Sequence, residues 1–294
     1  MTLTKKARVI LSLALPVALV GLAGCSPAEP PAENAGAAPV EMSAAPAAPE
    51  APAAETAETS TTEAVASAAP APATPAPATP APAPAAAGAK VSGTVKFDGP
   101  RPVRKEIAAE SDPKCHGTTP ILTDSEMVSE NGGVQFAFVS VSNAPAGDYP
   151  VPAEKAVLDQ RGCMYSPHVL GMRTGQDLEI VNGDPTTHNV RSFSKANKVF
   201  NIGQPKDTAP RIKKFDKAEN EIKMKCDVHP WMQSYIFAME HPFFAVTDAE
   251  GAFAIPGLPA GTYTLSVWHE RYGKQELQVT VSGDVADANF TYKP

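Results

Sequence analysis

ENEIKMKCDVHPWMQSYIFAMEH, residues 219 to 241, sets two strand-like runs on either side of a short loop. In ENEIKMKCD (219–227) and YIFAMEH (235–241), residues alternate in polarity or are rich in β-branched and aromatic types, the pattern of a pleated strand with a buried face. The loop between them carries a thiol, an imidazole and a thioether at Cys226, His229 and Met232, in a chain of 294 residues with only 4 Cys, 6 His and 8 Met. Side chains spaced three apart in a tight connection can turn toward one point. These are soft and borderline ligands, which select copper over magnesium or calcium.

The same reading extends outward. VSGTVKFDG (91–99), VQFAFVSVS (134–142), QDLEIVNGD (176–184), FFAVTD (243–248), TYTLSVWHE (262–270) and KQELQVTVSG (274–283) are further short runs, separated by clusters of Gly, Pro, Asn and Asp. No stretch keeps a helical period between two caps. Residues 89 to 294 are therefore expected to be all-β, of sandwich or Greek-key architecture, enough for one large domain or two small ones.

A blue-copper centre takes two His and one Cys with a weak axial Met, and the loop supplies one His. The candidate for the second is His188 in IVNGDPTTHNV, 38 residues before Cys226 and just after a strand run. VNGDPTTHNV resembles the upstream histidine segment of cupredoxins. Cys226-x-x-His229-x-x-Met232, with Pro230 after the His, resembles the short ligand loop of the amicyanin type. The resemblance implies a cupredoxin-like Greek-key β-sandwich over 134–242. It also implies that His188 is the first imidazole ligand, Cys226 the thiolate, His229 the second imidazole and Met232 the weak axial thioether. Asn189 would hydrogen-bond near the Cys loop and stiffen it. Pro230 and Trp231 would belong to an apolar docking surface, with His229 near the surface as the electron's exit; a half-buried packing role for Trp231 is an equal alternative. Zinc in place of copper would call for a fourth strong ligand instead of a Met.

TDAEGAFAIPGLPAGTYTLSVWHERYG (247–273) holds a D-x-x-G turn, a strand, a Gly-Leu-Pro-Ala-Gly turn and a strand ending in Trp268-His269. It resembles the last strands of carboxypeptidase regulatory-like, transthyretin-like modules, which implies a second, small β-sandwich with a segment at 243–294. The opening VSGTVKFDGPRP resembles the first strand of such a module. Two arrangements stay open: a domain inserted between that strand and the last ones, or a segment 89–133 whose strand belongs to the copper domain.

The N-terminus reads differently. Lys5, Lys6 and Arg8 precede an apolar run from Val9 to Val20 and then Leu22-Ala23-Gly24-Cys25, the pattern of a secretory signal peptide over 1–24. Leu22 to Cys25 resemble the lipobox of bacterial lipoproteins. This implies lipidation of Cys25 and a membrane anchor, and Ser26 in place of Asp implies the periplasmic side of the outer membrane or the cell surface. From 25 to 88 the chain is Ala, Pro, Thr and Glu, as in TPAPATPAPAPAAAG, and is expected to be a disordered tether. Seven of the acidic residues lie in the segment through 88 against three basic ones, so of the formal charge of −7 the remainder, with 22 basic and 25 acidic residues, keeps only −3. Nucleic acid is not expected as a partner.

Cys115 and Cys163 remain. In an oxidising compartment a leftover pair is most simply a disulfide, whereas Cys115-His116 and Cys163 with His168 and Met172 leave a second metal site open. The chain contains no G-x-S-x-G, H-E-x-x-H or phosphate-binding glycine loop. A non-enzymatic, membrane-tethered electron carrier with redox partner proteins is expected; copper delivery or buffering, and a non-redox surface-binding lipoprotein, are the alternatives.

Overall fold

The computed structural model describes residues 88–294 except 110–111 and 117–119. The expected signal peptide, Cys25 and nearly all of the expected tether lie outside the described residues. The described chain is all-β, apart from one short helical turn, α1 (Pro113–His116). It builds two sandwiches, one inserted into the other.

The host sandwich has two sheets. The smaller has β1 (Ala89–Phe97) between β13 (Ala252–Leu258) and β16 (Phe290–Tyr292); the larger runs in the order β12 (Phe244–Val246), β2 (Phe138–Val141), β14 (Gly261–His269), β15 (Gly273–Val281). Burial alternates along β1 and through most of β14, as a strand with one face on the core requires. Val91, Val95, Val139, Val141, Ile255, Leu265 and Val267 are fully enclosed between the two sheets.

The inserted sandwich also has two sheets. One runs in the order β5 (Val169–Arg173), β11 (Gln233–Met239), β10 (Glu219–Lys225), β7 (His188–Phe193), β8 (Asn201–Gln204). The other runs β4 (Met164–Ser166), β3 (Ala156–Arg161), β6 (Leu178–Asn182), β9 (Arg211–Lys213). Between them lie Leu158, Leu170, Ile180, Val190, Ile222, Met224 and Ile236.

The insertion falls between β2 and β12, which are antiparallel neighbours in the host, with Ser140 opposite Phe244 and Phe138 opposite Val246. This corrects the boundary expected at 134. Residues 138–141 also pair with β14, from Val141 opposite Leu265 to Phe138 opposite Trp268, so that strand belongs to the host. The opening strand belongs there too, since β1 pairs antiparallel with β13 and parallel with β16. Val139 and Val141 complete the host core beside Val267 and Leu265, which is the physical reason they join it.

An aromatic layer joins the sandwiches. Phe138, Phe244 and Trp268 of the host pack with Val169, Phe237 and Met239 of the insert, and the Phe138 and Phe237 rings stack at 3.8 Å. The guanidinium of Arg173 donates to the carbonyls of Tyr149 and Pro150, where the chain enters the insert, and of Met239 and Glu240, where it leaves. Beside this layer, the buried His168 pairs with Glu270, at the end of β14. Glu270 also accepts from Gln233 at 3.0 Å and from Tyr235 at 3.3 Å. Asp124 Oδ1 lies 3.2 Å from the other ring nitrogen, close enough for charge attraction but off the line of a hydrogen bond.

Candidate metal centre

The connection from β10 to β11 folds on itself. Met232 N donates to His229 O at 2.9 Å, Cys226 N to Met232 O at 3.2 Å and His229 N to Cys226 Sγ at 3.4 Å. Cys226, His229 and Met232 are thereby turned inward and are at most 1 % exposed, while Val228 and Pro230 stay outside.

His188 opens β7 on the neighbouring strand and is fully buried. The turn before it is built by side chains: Asp184 N donates to Asn182 Oδ1 at 3.0 Å, and Asn182 Nδ2 donates to Thr186 O at 2.9 Å. Antiparallel pairing of β10 with β7 sets the Cys loop against the start of β7, which brings donors 38 residues apart to one point.

There the Nδ1 atoms of His188 and His229 are 2.8 Å apart, and Cys226 Sγ is 3.8 Å from His229 Nδ1. One ligand atom from each of the three residues lies within 4.8 Å of the others. Met232 is buried in the same hydrophobic core as Cys226. On the far edge of each ring stands a carboxylate: Asp184 Oδ2 is 2.9 Å from His188 Nε2, and Asp112 Oδ2 is 3.1 Å from His229 Nε2. A carboxylate accepts, so each Nε2 carries the donated hydrogen and each Nδ1 is left to face the other. Two lone pairs cannot meet at that distance without a proton or a metal cation between them.

The electrostatics agree. Burial pulls the His188 imidazolium down, but the Asp184 carboxylate and the Cys226 sulfur outweigh it and hold its pKa up at about 9. Burial raises the Cys226 thiol, yet hydrogen bonds from His188 and from backbone N–H groups bring it below its ordinary value. His229 is lowered, by burial first and by the His188 charge beside it, against the pull of Asp112. The donor set is soft and enclosed, with the Cys226 thiol and the His229 imidazolium both biased toward losing their protons, which suits a copper ion.

Asn189 Oδ1 accepts from Asp227 N at 2.7 Å and Val228 N at 3.3 Å and lies 3.4 Å from Cys226 Sγ. It ties the first histidine's strand to the Cys loop. Trp231 is half-buried, 5.2 Å from the His229 ring between centroids, and its indole N–H donates to Cys163 O at 3.0 Å. Cys115 and Cys163 form a disulfide with a Cα separation of 5.5 Å. Cys163 sits in a tight turn between β3 and β4 with φ of 54°, after Gly162 at 63°. Asp184 accepts from both of their N–H groups, at 2.7 and 2.8 Å.

His229 is covered, at 1 % exposed, but its chain neighbours Val228 and Pro230 are exposed and the Asp112 side chain beside it is 19 % exposed. Asp112 and Cys115, held down by the disulfide, cover its outer edge, with Cys115 Sγ 3.5 Å from Nε2. Asp112 and Asp184 were not among the sequence candidates. Asp184, four residues before His188 in a G-D-P turn, carried a readable signal; Asp112, 117 residues from His229, carried none. His241 and His269 lie outside the cluster of His188, Cys226 and His229.

Residues 238–293 match the carboxypeptidase regulatory-like domain. That span takes in β12 to β16 of the host sandwich. Among solved structures, the chain is similar to a copper-containing nitrite reductase from Thermus scotoductus SA-01, with 19% identity, 33% of this chain, 25% of that chain and a TM-score of 0.29. The chain thus spans about a quarter of that reductase. It is also similar to a purple cupredoxin from Nitrosopumilus maritimus, with 22% identity, 29% of this chain, all of that chain and a TM-score of 0.25. Amicyanin from Paracoccus versutus matches with 25% identity, 34% of this chain, 97% of that chain and a TM-score of 0.26. No curated protein matches the chain.

Proposed function

We propose that the inserted sandwich is a type 1 copper domain and that the protein carries single electrons outside the cytoplasm. In this reading lipid on Cys25 holds it to a membrane, and the Ala/Pro-rich tether lets it reach redox partner proteins. The observation that carries the reading is the pair of buried imidazoles facing through Nδ1 beside a buried thiol, each backed by a carboxylate.

His188, Cys226 and His229 would hold the metal, with Met232 as the weak fourth donor. Copper, when bound, supplies a one-electron couple. The work of the protein is to keep the donors still while that charge changes. Asp184 and Asp112 fix the ring orientations, and Asn189 holds the loop through two backbone N–H groups. Outer contacts of this kind orient ligands and tune a metal's potential. His188, Cys226 and His229 are enclosed, at most 1 % exposed, which suits transfer of an electron with no general acid, base or nucleophile taking part. Trp231, half-exposed against the His229 ring, is the side chain best placed to couple the enclosed site to a docked partner.

The test is a visible absorption and electron paramagnetic resonance spectrum of the purified chain loaded with Cu(II), beside Cys226→Ser. An intense thiolate-to-copper band with narrow hyperfine splitting, lost in the variant, is the expected result. A colourless or ordinary tetragonal spectrum would sink the reading.

A further inference from the structure

The disulfide lies against the same histidine from its other side. Cys115 Sγ, Cys163 Sγ and a nitrogen of His229 fall within 4.8 Å of one another, and all three residues are buried. Cys115 Sγ is 3.5 Å and Asp112 Oδ2 3.1 Å from His229 Nε2, the ring edge opposite the one turned toward His188. One of the two sulfurs stands on a turn that does not depend on the bond. The Cys163 N–H is held by Asp184 and its carbonyl by Trp231. The other is not held by the bond alone: the Cys115 N–H donates to Asp112 O at 2.9 Å and the Asp112 carboxylate accepts from the Thr186 hydroxyl at 2.8 Å, so opening the bond leaves two thiols close together beside a carboxylate.

We propose that this pair, once reduced, is a second metal site for a soft monovalent cation, Cu(I), so that the chain holds one copper ion with the disulfide closed and two with it open. The first of these two ions rests on the copper reading given above. A small dithiol supplies two electrons and two protons to the Cys115–Cys163 bond, which becomes two thiols while the dithiol becomes its own disulfide. Each thiol then releases its proton as it binds, giving a bis-thiolate site with no change in the oxidation state of the metal. Thiolates select Cu(I) over harder divalent ions, and the cation needs few ligands. The site would match copper capacity to the reducing power of the surroundings.

The full purified chain is titrated anaerobically with Cu(I) against a chromogenic Cu(I) chelator, before and after treatment with dithiothreitol and its removal. One equivalent before and two after is the expected result. The double variant Cys115→Ser, Cys163→Ser should bind one in both states, and Cys226→Ser none before and one after. No gain on reduction, loss of the first equivalent on reduction, or a gain that persists in the double variant would overturn the proposal. An oxidised wild-type chain that binds none, yet gains one on reduction, would overturn the first-site reading alone.

Discussion

His188 and His229 face each other through their Nδ1 atoms across 2.8 Å, each with its Nε2 on a carboxylate. With the His188 imidazolium held at about 9, a proton stands between the rings at neutral pH, where a cation would otherwise be. Metal and proton therefore compete. The apparent affinity for copper should rise about tenfold or more per pH unit between pH 6 and 8, one proton or more being displaced. A competition titration at three pH values measures the slope; a flat profile would contradict the facing geometry.

The carboxylates behind the rings should matter unequally. Asp184→Ala removes the acceptor of His188 and also of the Gly162 and Cys163 N–H groups, whereas Asp112→Ala removes the acceptors of His229 and of the Thr186 hydroxyl. Loss of such an outer hydrogen bond typically costs about 10 to 100-fold in metal affinity. Asp184→Ala is expected toward the upper end and Asp112→Ala toward the lower, measured by the same titration.

Where the sandwiches meet, His168 should make stability depend on pH. Burial lowers its imidazolium, but Asp124 and Glu270 together raise it to about 9, above its unfolded value of 6.5. A raised value means the folded form binds the proton more tightly. The contribution, roughly 3 kcal/mol, is then fully present below about pH 6.5 and is lost as the pH climbs through 9. Urea midpoints should fall across that window in the wild type and fall less in His168→Gln, where only the part contributed by His188, also held at about 9, remains.

Gly171 should tolerate no side chain. A Cβ there would come within 2.6 Å of Phe244 and 2.8 Å of Phe138, and Phe138 is already stacked on Phe237. Gly171→Ala is expected to cost ~1–3 kcal/mol, the usual penalty of overpacking. Unfolding of this variant should be compared with a mild change such as Val151→Ala, at an exposed position.

Much of the architecture was legible for a physical reason. β10 alternates because one face lines a core, β11 does so only until Phe237 and Met239 turn to the aromatic layer, and the loop between them shows its chemistry in its residue types. β5 was not legible: all five of its residues are buried, because the core covers one face and the aromatic layer the other, so no alternation survives. The run at 134–142 was readable as a strand, but a strand's pattern names its faces and not its partners, so its place beside β14 was not. The gathering of His188, Cys226 and His229 was legible because these residue types are uncommon in the chain. The closure over His229 was not, because an Asp at position 112 looks like any other until the fold brings it there.

Because β2 and β12 are paired neighbours, the chain leaves and re-enters the host at adjacent points, and Arg173 clasps both passages in one hand. The inserted lobe is in that sense a cassette hung from the mouth of a hairpin. A short turn could close the gap it leaves, while the bared Phe138, Phe244 and Trp268 would mark where it had docked. Such a joint lets a lobe be gained, lost or exchanged between proteins without redrawing the sandwich that carries it.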